Sequence, residues 1–460
     1  MVHGCDRCGY HRGFDLTVAM ISLSGWGRYP VADCAIFRPR AASDAVAAAD
    51  RLPDLIPRGN GRSYGDASLN PTATLDMRRV DHMLEFQASA GTMTCEGGVL
   101  LADLIDTMLP RGWFPPVTPG TKLVTIAGMI ASDVHGKNHH RAGSFCDHVD
   151  WIDLATGDGE VRRCSPTVHS DLFAATCGGM GLTGVILRAC FRMLRVESGF
   201  IRQRTIRAPQ LADAFAVFER SLDSTYSVAW IDCLASGDDL GRSVILLGEH
   251  ALVEDLDAGR RAAPFELPRR RPKRVPIDFP ALALSRASVR IFNKLYYAAQ
   301  RPGDAVVNLD SYFYPLDAIQ DWNRIYGKGG FVQYQCVLPL HESEVGIRRL
   351  LTEIAAVGQA SFLAVLKRLG KESFGLLSFP REGYTLALDF PATPTNLALL
   401  NRLDVITTEH GGRIYLAKDA HMQADSFETG YSKVQAFREV RRRYGLDQHF
   451  SSLLSRRLKI

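Results

Sequence analysis

The sequence lacks several features that would assign it to a specialised class of protein. It has no run of about 18 consecutive apolar residues, the length that a membrane-spanning helix needs. Its start shows no charged segment followed by an apolar one, which a secretory signal peptide would have. It also has no internal repeat and no low-complexity tract. We therefore expect neither a membrane span nor a signal peptide, and we predict a cytoplasmic location.

Charge imbalance and a cysteine framework are missing as well. The 54 Lys and Arg against 50 Asp and Glu leave a net charge of +4, too small to predict nucleic-acid binding. The 10 cysteines follow no repeating pattern, so we expect free, buried thiols in a reducing compartment. Cys5 and Cys8 have the spacing of half a zinc site, but no second ligand pair follows. We therefore predict no metal site.

What the sequence does contain is the composition of a globular protein, with 46% hydrophobic and 23% charged residues. Its 460 residues are too many for one simple core. Strand-like runs and turns dominate up to about residue 195, and longer helical patterns alternate with strands after it. We predict an α+β protein with domains at 20–195 and 196–410, a C-terminal segment at 411–460 and a disordered tail at 1–19.

Periodicity predicts individual elements. Thr92 to Glu96 has the pattern of a strand that glycines end. Apolar residues then recur at i, i+3, i+4 and i+7 from Leu101 to Met108, which predicts an amphipathic helix. In the second part, strands are predicted at 228–231, 244–247, 331–337 and 384–390.

Three glycine-rich segments lie in the first part of the chain. The first reads Pro57-Arg58-Gly59-Asn60-Gly61-Arg62-Ser63-Tyr64-Gly65-Asp66 and directly follows a strand, so its backbone N–H groups can form a phosphate-binding nest. The second, Thr118 to His140, combines a small-residue helix with a His-Gly-Lys turn, which suits packing against a flat ring. The third is Gly178 to Gly184. Three such segments together indicate a ligand site far more strongly than one alone.

These segments resemble flavoproteins of the vanillyl-alcohol oxidase superfamily, whose FAD domain has the p-cresol methylhydroxylase (PCMH) type of fold. The resemblance runs from about Trp26 to the C-terminus. Within the superfamily the sequence is most similar to the decaprenylphosphoryl-β-D-ribose 2-oxidase family, and the string His135-Gly136-Lys137-Asn138-His139-His140 is specific to that branch. Gln333-Tyr334-Gln335 and Tyr415-Leu416-Ala417-Lys418-Asp419 also match.

The resemblance implies a fold and an activity. A PCMH-type two-part FAD-binding domain would span 20–195 and regain 411–460, and 196–410 would form an α+β substrate domain with an antiparallel sheet. The enzyme would oxidise the 2-hydroxyl of a polyprenyl-phosphate-linked ribofuranose to a 2-keto sugar, and an NAD-dependent keto-reductase would act as its partner. The basic stretch Arg269-Arg270-Arg271-Pro272-Lys273-Arg274 is interpreted as a solvated loop, with a peripheral contact at the inner membrane surface as the alternative.

The resemblance also assigns residues. His135 and Lys418 would be catalytic, since the reaction needs a base for the hydroxyl proton and a cation beside the flavin. Substrate contacts are expected from Lys137, Tyr314, Gln335, Lys367 and Thr385. FAD contacts are expected from Arg58, Gly59, Asn60, Gly61, Arg62, Ser63, Tyr64, Thr118, Gly120, Thr121, Gly128, Ala131, Ser132, His135, Gly136, Asn138, Gly181, Gly184, Val185 and Tyr415.

Three positions depart from what relatives commonly carry. Many relatives attach FAD through a histidine after Gly-x-Gly, and Arg62 occupies that position here, so we predict non-covalent FAD. Thr385 and Ala387 stand where the relatives commonly have Asn and Cys, which bears on the sugar pocket.

Two other functions are also compatible with the sequence. One is an alditol or aldonolactone oxidase that acts on a free sugar, and the other is a flavin-free sugar- or nucleotide-binding protein. His135 and His139 also have the i, i+4 spacing of a helical metal site, but Gly136 favours a turn instead.

Overall fold

A computed structural model describes residues 19–268, 273–280, 285–358, 361 and 363–460. Residues 1–18 of the predicted disordered tail, which include the Cys5 and Cys8 pair, and the first four residues of the basic stretch lie outside the described residues. The last residue assigned to that tail, Ala19, begins a strand. Within them the strands are β1 (Ala19–Ser24), β2 (Val31–Phe37), β3 (Leu55–Arg58), β4 (Ala73–Asp76), β5 (Met83–Gln87), β6 (Thr92–Glu96), β7 (Trp113–Phe114), β8 (Val149–Ala155), β9 (Val161–Cys164), β10 (Val185–Arg192), β11 (Leu194–Arg195), β12 (Phe200–Ala208), β13 (Tyr226–Ile231), β14 (Ser243–His250), β15 (Lys273–Arg274), β16 (Gly303–Asn308), β17 (Ile319–Gln320), β18 (Phe331–Pro339), β19 (Ala364–Leu369), β20 (Gly383–Pro391) and β21 (Arg413–Ile414).

The same residues form helices of four to 18 residues. They are α1 (Ala42–Arg51), α2 (Leu101–Met108), α3 (Ile126–Ala131), α4 (His139–Ala142), α5 (Ser170–Thr176), α6 (Leu211–Arg220), α7 (Ala258–Ala262), α8 (Arg286–Ala299), α9 (Leu309–Phe313), α10 (Leu340–Val357), α11 (Pro394–Glu409), α12 (Ala424–Gly430), α13 (Val434–Arg443) and α14 (Leu453–Leu458). None of them is long and apolar enough to cross a membrane.

Two larger sheets, besides the short pair of β7 and β11, build the first part of the chain. The first has the order β1-β2-β4-β3, in which β2, β4 and β3 run parallel. The second is antiparallel, with the order β5-β6-β10-β8-β9. Helix α2 buries the four apolar side chains that its periodicity marks, Leu101, Leu104, Ile105 and Met108. Because β3 ends at Arg58, the first glycine segment begins where the strand leaves its sheet.

A larger antiparallel sheet builds the second part. In the described residues its order is β16-β12-β14-β13-β19-β20-β18-β21. Strand β18 is buried along its whole length, and its residues alternate between two faces. Tyr334 points to the helices, where its hydroxyl lies 2.6 Å from Thr407 Oγ1 of α11. Gln333 and Gln335 point to the opposite face and line a cavity. The predicted α+β class with an antiparallel sheet is thus confirmed.

The C-terminal segment contacts both parts of the chain. Strand β21 pairs with β18 in the large sheet. The helices after it return to the first part, where Leu55 N donates to His449 O at 2.7 Å and Arg441 Nε donates to Leu182 O at 3.1 Å. The division into domains at 195 and 410 stays a prediction. The eight cysteines of the described part are free and buried, as expected.

Candidate active site

A cavity of about 730 Å³ lies between the glycine segments and the large sheet. All but three of the predicted site residues line it. They are Arg58, Gly59, Asn60, Gly61, Arg62, Ser63, Tyr64, Thr118, Gly120, Thr121, Gly128, Ala131, Ser132, His135, Gly136, Lys137, Gly181, Gly184, Val185, Gln335, Lys367, Tyr415 and Lys418. The structure therefore brings the three glycine segments, β18, β19 and the Lys418 turn to one site.

The three remaining predicted residues lie behind the lining. The Tyr314 hydroxyl is 2.5 Å from Thr118 Oγ1, and Thr385 Oγ1 accepts from Gln335 Nε2 at 3.2 Å. Asn138 Nδ2 donates to Pro116 O at 2.8 Å. Tyr314 and Thr385 thus each contact a lining residue, Asn138 contacts the segment before Thr118, and none of the three is part of the lining.

The first glycine segment presents unused donors to the cavity. Among the described residues, the backbone N–H groups of Asn60, Gly61, Arg62 and Ser63 donate to no protein acceptor. Gly61 has a φ of +62°, the left-handed conformation that glycine adopts without strain. Asn60 Nδ2 donates to Leu123 O at 2.8 Å and so ties this segment to the second one. Successive unpaired N–H groups form a nest for an anion, and a pyrophosphate fits it.

The two arginines of this segment have different surroundings. Arg58 donates to Ser24 O at 2.7 Å and to Ser68 Oγ at 3.0 Å, so its guanidinium supports the loop from the protein side. The Arg62 guanidinium lies 4.1 Å from the ring centroid of Trp26, and its buried Nε has no partner. Arg62 is thus the arginine with a donor still available for a ligand.

Three lysines face the cavity and are enclosed from bulk solvent. Burial lowers the pKa of Lys367 to about 8. Burial and the charge of Lys367 lower the pKa of Lys137 to about 7. Burial also lowers the pKa of Lys418; Asp389 opposes that effect and Lys367 adds to it. Mutual repulsion in a site of low polarity makes such a cluster receptive to an anion.

Lys418 has one aromatic and one acidic neighbour. Its ammonium lies 3.7 Å from the ring centroid of Tyr64. Asp389 is fully buried and is held by Gln333 Nε2 at 2.5 Å and by the Tyr326 hydroxyl at 3.4 Å. Burial raises the pKa of Asp389, and Gln333, the charge of Lys418 and Tyr326 lower it in part. Sequence reasoning missed Asp389, although an acid inside an apolar strand is a signal that could have found it.

His135 is held as a neutral imidazole. Burial, and then the charges of Lys367, His139 and Lys418, lower its pKa well below the usual value. Gln335 Nε2 lies 3.1 Å from His135 Nε2. An amide nitrogen only donates, so this contact places the ring proton on Nδ1, which is buried without a partner. Within the described residues no cluster of His, Cys, Asp or Glu could hold a metal ion.

Two further groups near the cavity were not found from the sequence. Asp317 lines the cavity, where its carboxylate accepts from Thr121 Oγ1 at 2.7 Å and from Lys122 N at 2.8 Å. Arg457 is not part of the cavity lining, and it binds Asp66 at 2.8 Å and Asp419 at 2.9 Å. Arg457 therefore joins the end of the first glycine segment to the residue after Lys418.

Comparison with known proteins agrees with this geometry. An FAD binding domain family matches residues 39–165. Decaprenylphosphoryl-beta-D-ribose oxidase of Mycolicibacterium smegmatis is 34% identical over 450 residues, which cover 95% of this chain and 97% of that protein. An uncharacterized protein in the mprA 5′ region of Streptomyces coelicolor is 36% identical over 378 residues, 78% of this chain and all of that protein. Cytokinin dehydrogenase 10 of Oryza sativa subsp. japonica is 31% identical over 173 residues, 34% of this chain and 31% of that protein.

The FAD binding domain and the Mycolicibacterium relative identify an FAD-dependent oxidoreductase that acts on a CH–OH donor, and the glycine-lined cavity fits this cofactor. The chain belongs to the decaprenylphosphoryl-β-D-ribose oxidase family. The predicted family, the PCMH-type FAD-binding fold and the cofactor FAD are thereby confirmed.

We expect FAD to be bound without a covalent link. Arg62 stands at the position of the linking histidine, and a guanidinium does not form the histidyl bond. Precipitation of the holoenzyme with acid should therefore leave all flavin absorbance in the supernatant. Arg62→His, which restores a histidine at the linking position, is the variant for comparison. Flavin retained on the wild-type precipitate would contradict the prediction.

Proposed function

We propose that this enzyme oxidises the 2-hydroxyl of a polyprenyl-phosphate-linked ribofuranose to the 2-keto sugar, as the flavin half of a 2-epimerase. The observation that carries the proposal is that Lys137 and Lys367 lie, in addition to Lys418, in one cavity with the glycine nest. An oxidase of uncharged sugars needs a base but not these two further cations, whereas they suit a substrate that carries a phosphate. The activity named for the Mycolicibacterium relative supports the same substrate class.

The glycine segments would hold the cofactor. The N–H groups of Asn60 to Ser63 would bind the pyrophosphate of FAD, and the Arg62 guanidinium would add a charge-assisted contact. Bound FAD supplies the hydride acceptor for the oxidation. Three further side chains of the cavity lining, Gln335, Lys367 and Lys418, would then face the substrate.

Lys418 is the residue that we assign to the reacting hydroxyl. Its lowered pKa lets the amine take up a proton near neutral pH, as a general base must. After that transfer, the ammonium is stabilised by Asp389 and by the face of Tyr64. His135 stays neutral and is oriented by Gln335, so it would position the substrate and contribute no charge.

Lys137 and Lys367 would bind the phosphate of the substrate. Lys137 Nζ donates to Tyr312 O and lies 4.2 Å from the Tyr312 ring centroid, which fixes its ammonium at the cavity wall. A bound phosphate would stabilise both ammonium groups and raise their pKa values. A separate enzyme would reduce the keto product, and we propose an NAD-dependent keto-reductase as this partner.

Anaerobic bleaching of the flavin tests the proposed function. The purified holoenzyme is mixed with a short-chain prenyl-phosphate ribose, with free ribose or with a panel of alditols and aldonolactones, and flavin absorbance is followed. We expect bleaching with the prenyl-phosphate ribose and none with the free sugars. Bleaching by alditols or lactones alone would overturn the proposal in favour of a free-sugar oxidase.

The lysine cluster predicts opposite pH shifts for two variants. Lys367→Met removes a cation that lowers the pKa of Lys418, so that pKa should rise. Asp389→Asn removes the group that raises it, so it should fall. Because the base acts when deprotonated, the acid limb of the flavin-reduction rate should move to higher pH in Lys367→Met and to lower pH in Asp389→Asn. Lys367→Arg keeps the charge and should leave the acid limb at the wild-type pH. Shifts of the same sign in Lys367→Met and Asp389→Asn would contradict the assignment of Lys418.

A further inference from the structure

Apolar side chains are exposed on two segments beside the cavity. On α8, Ile291 is 61% exposed and Leu295 is 65% exposed. On the segment after β15, Ile277 is 66% exposed and Phe279 is 38% exposed. We call these four side chains together the apolar rim. Exposed apolar side chains grouped on one element mark an interaction surface, whereas scattered single ones do not.

Helix α8 places cations next to the apolar rim. It contains Arg286, Arg290 and Lys294 and no acidic residue. These three follow each other at i, i+4 and i+8, and Ile291 and Leu295 form the adjacent row at i, i+4, so the two rows run side by side along the helix. All five side chains are exposed. The exposed face is therefore half apolar and half basic, the pattern of a helix that lies on an anionic membrane surface.

The opposite face of α8 is fixed to the large sheet. Asn293 is fully buried, and its Nδ2 donates to the buried Asp232 at 2.7 Å. The Tyr296 ring packs on Trp230 with the ring centroids 4.7 Å apart. The rows of Ile291 and Arg290 are therefore presented outward by a helix whose orientation is set by buried contacts.

The same elements border the active-site cavity. Tyr296 and Trp230 line it on the side of α8, and Arg274 of β15 lines it on the side of Ile277. Val275 N donates to Gln320 O at 3.0 Å, which holds the second segment beside another part of the lining. Each of the two segments that carry the apolar rim thus lies next to residues of the cavity lining.

We propose that the apolar rim and the cations of α8 dock on an anionic lipid bilayer, so that the prenyl chain of the substrate remains in the membrane while its sugar enters the cavity. This inference rests on the proposed function, since a free sugar would need no such contact. Ile291, Leu295 and Ile277 would enter the headgroup region, and Arg290 and Lys294 would meet lipid phosphates. The charge of α8 selects the anionic bilayer over a neutral one.

Vesicle sedimentation of the full-length holoenzyme tests the docking. We expect binding to vesicles of phosphatidylglycerol and phosphatidylcholine and much weaker binding to phosphatidylcholine alone. Arg290→Gln and Lys294→Gln should each weaken binding about fivefold, and Ile291→Asp with Leu295→Asp should weaken it about tenfold or more. Val345→Asp, at a valine of α10 that is 62% exposed, is the control and should bind like the wild type.

Failure of the docking can be told apart from failure of the proposed function. Flavin bleaching by a water-soluble short-chain substrate should be unchanged in all of these variants, while bleaching by a long-chain substrate embedded in vesicles should slow in parallel with the loss of binding. Equal vesicle binding by the wild type and the charge variants would overturn the docking proposal. The proposal would also be overturned if the wild type bound no vesicles but formed a complex with a partner protein that Ile291→Asp abolished.

Discussion

Replacement of Lys418 by methionine should leave FAD bound and slow flavin reduction by the substrate about 10²- to 10⁴-fold, the usual contribution of a positioned base. Methionine keeps most of the length of the side chain and its packing on Tyr64, but it has no group that takes up a proton. His135 cannot replace it, because its ring accepts from Gln335 and its pKa lies well below the usual value. Stopped-flow absorbance under anaerobic conditions measures the rate directly.

The control for this variant is an exposed lysine. Lys371→Met removes a solvent-facing ammonium on the loop after β19 and should leave the rate of flavin reduction unchanged. The FAD content of both variants should equal that of the wild type, since the nest consists of the backbone N–H groups of Asn60 to Ser63 and the Lys418 side chain is not one of its donors. A Lys418→Met enzyme that bleaches at nearly the wild-type rate would remove Lys418 from the chemistry.

The site could be predicted from the sequence where its parts are local. The first glycine segment is one continuous loop after a strand, so its residues reach the cavity together, as predicted. The helix at Leu101 to Met108 and the strand at Thr92 to Glu96 also follow from local periodicity, and the structure has both at these residues. In these cases the pattern of apolar residues that determines the element lies within one helix or one strand, so the sequence alone shows it.

The rest depends on contacts between distant residues. The charges of Asp389 and Lys418 interact only because β20 lies beside β18, β21 pairs with β18, and the Lys418 turn follows β21. Tyr314 was expected to contact the substrate, but its hydroxyl reaches Thr118, 196 residues away, and so it lies behind the cavity wall. Neither relation leaves a periodicity or a spacing in the sequence. The resemblance supplied residue types at the site but not these partners.

Arg457 is such a distant partner, and its loss should have the largest effect on stability. In Arg457→Met, Asp66 and Asp419 would keep their buried positions without the guanidinium that binds both. Removal of one member of a buried charged network costs about 3–5 kcal/mol. Because Asp66 ends the glycine segment and Asp419 follows Lys418, we also expect weaker FAD retention. Urea unfolding of the holoenzyme and the rate of FAD release measure the two effects.

The pH dependence of this loss distinguishes a charge effect from simple loss of packing. Burial would raise the pKa of Asp419, but Arg457, His421 and two backbone N–H groups lower it overall. Without Arg457, burial prevails, and the pKa values of both carboxyls should exceed that of an unfolded aspartate, about 3.9. An acid with a raised pKa destabilises the fold as pH rises, so the difference from the wild type should be largest at neutral pH and shrink towards pH values of about 4.

Arg456→Met, on the same helix but at an exposed pair with Asp54, is the control and should cost under about 1 kcal/mol. An Arg457→Met loss that is equal at all pH values would reduce Arg457 to a packing residue.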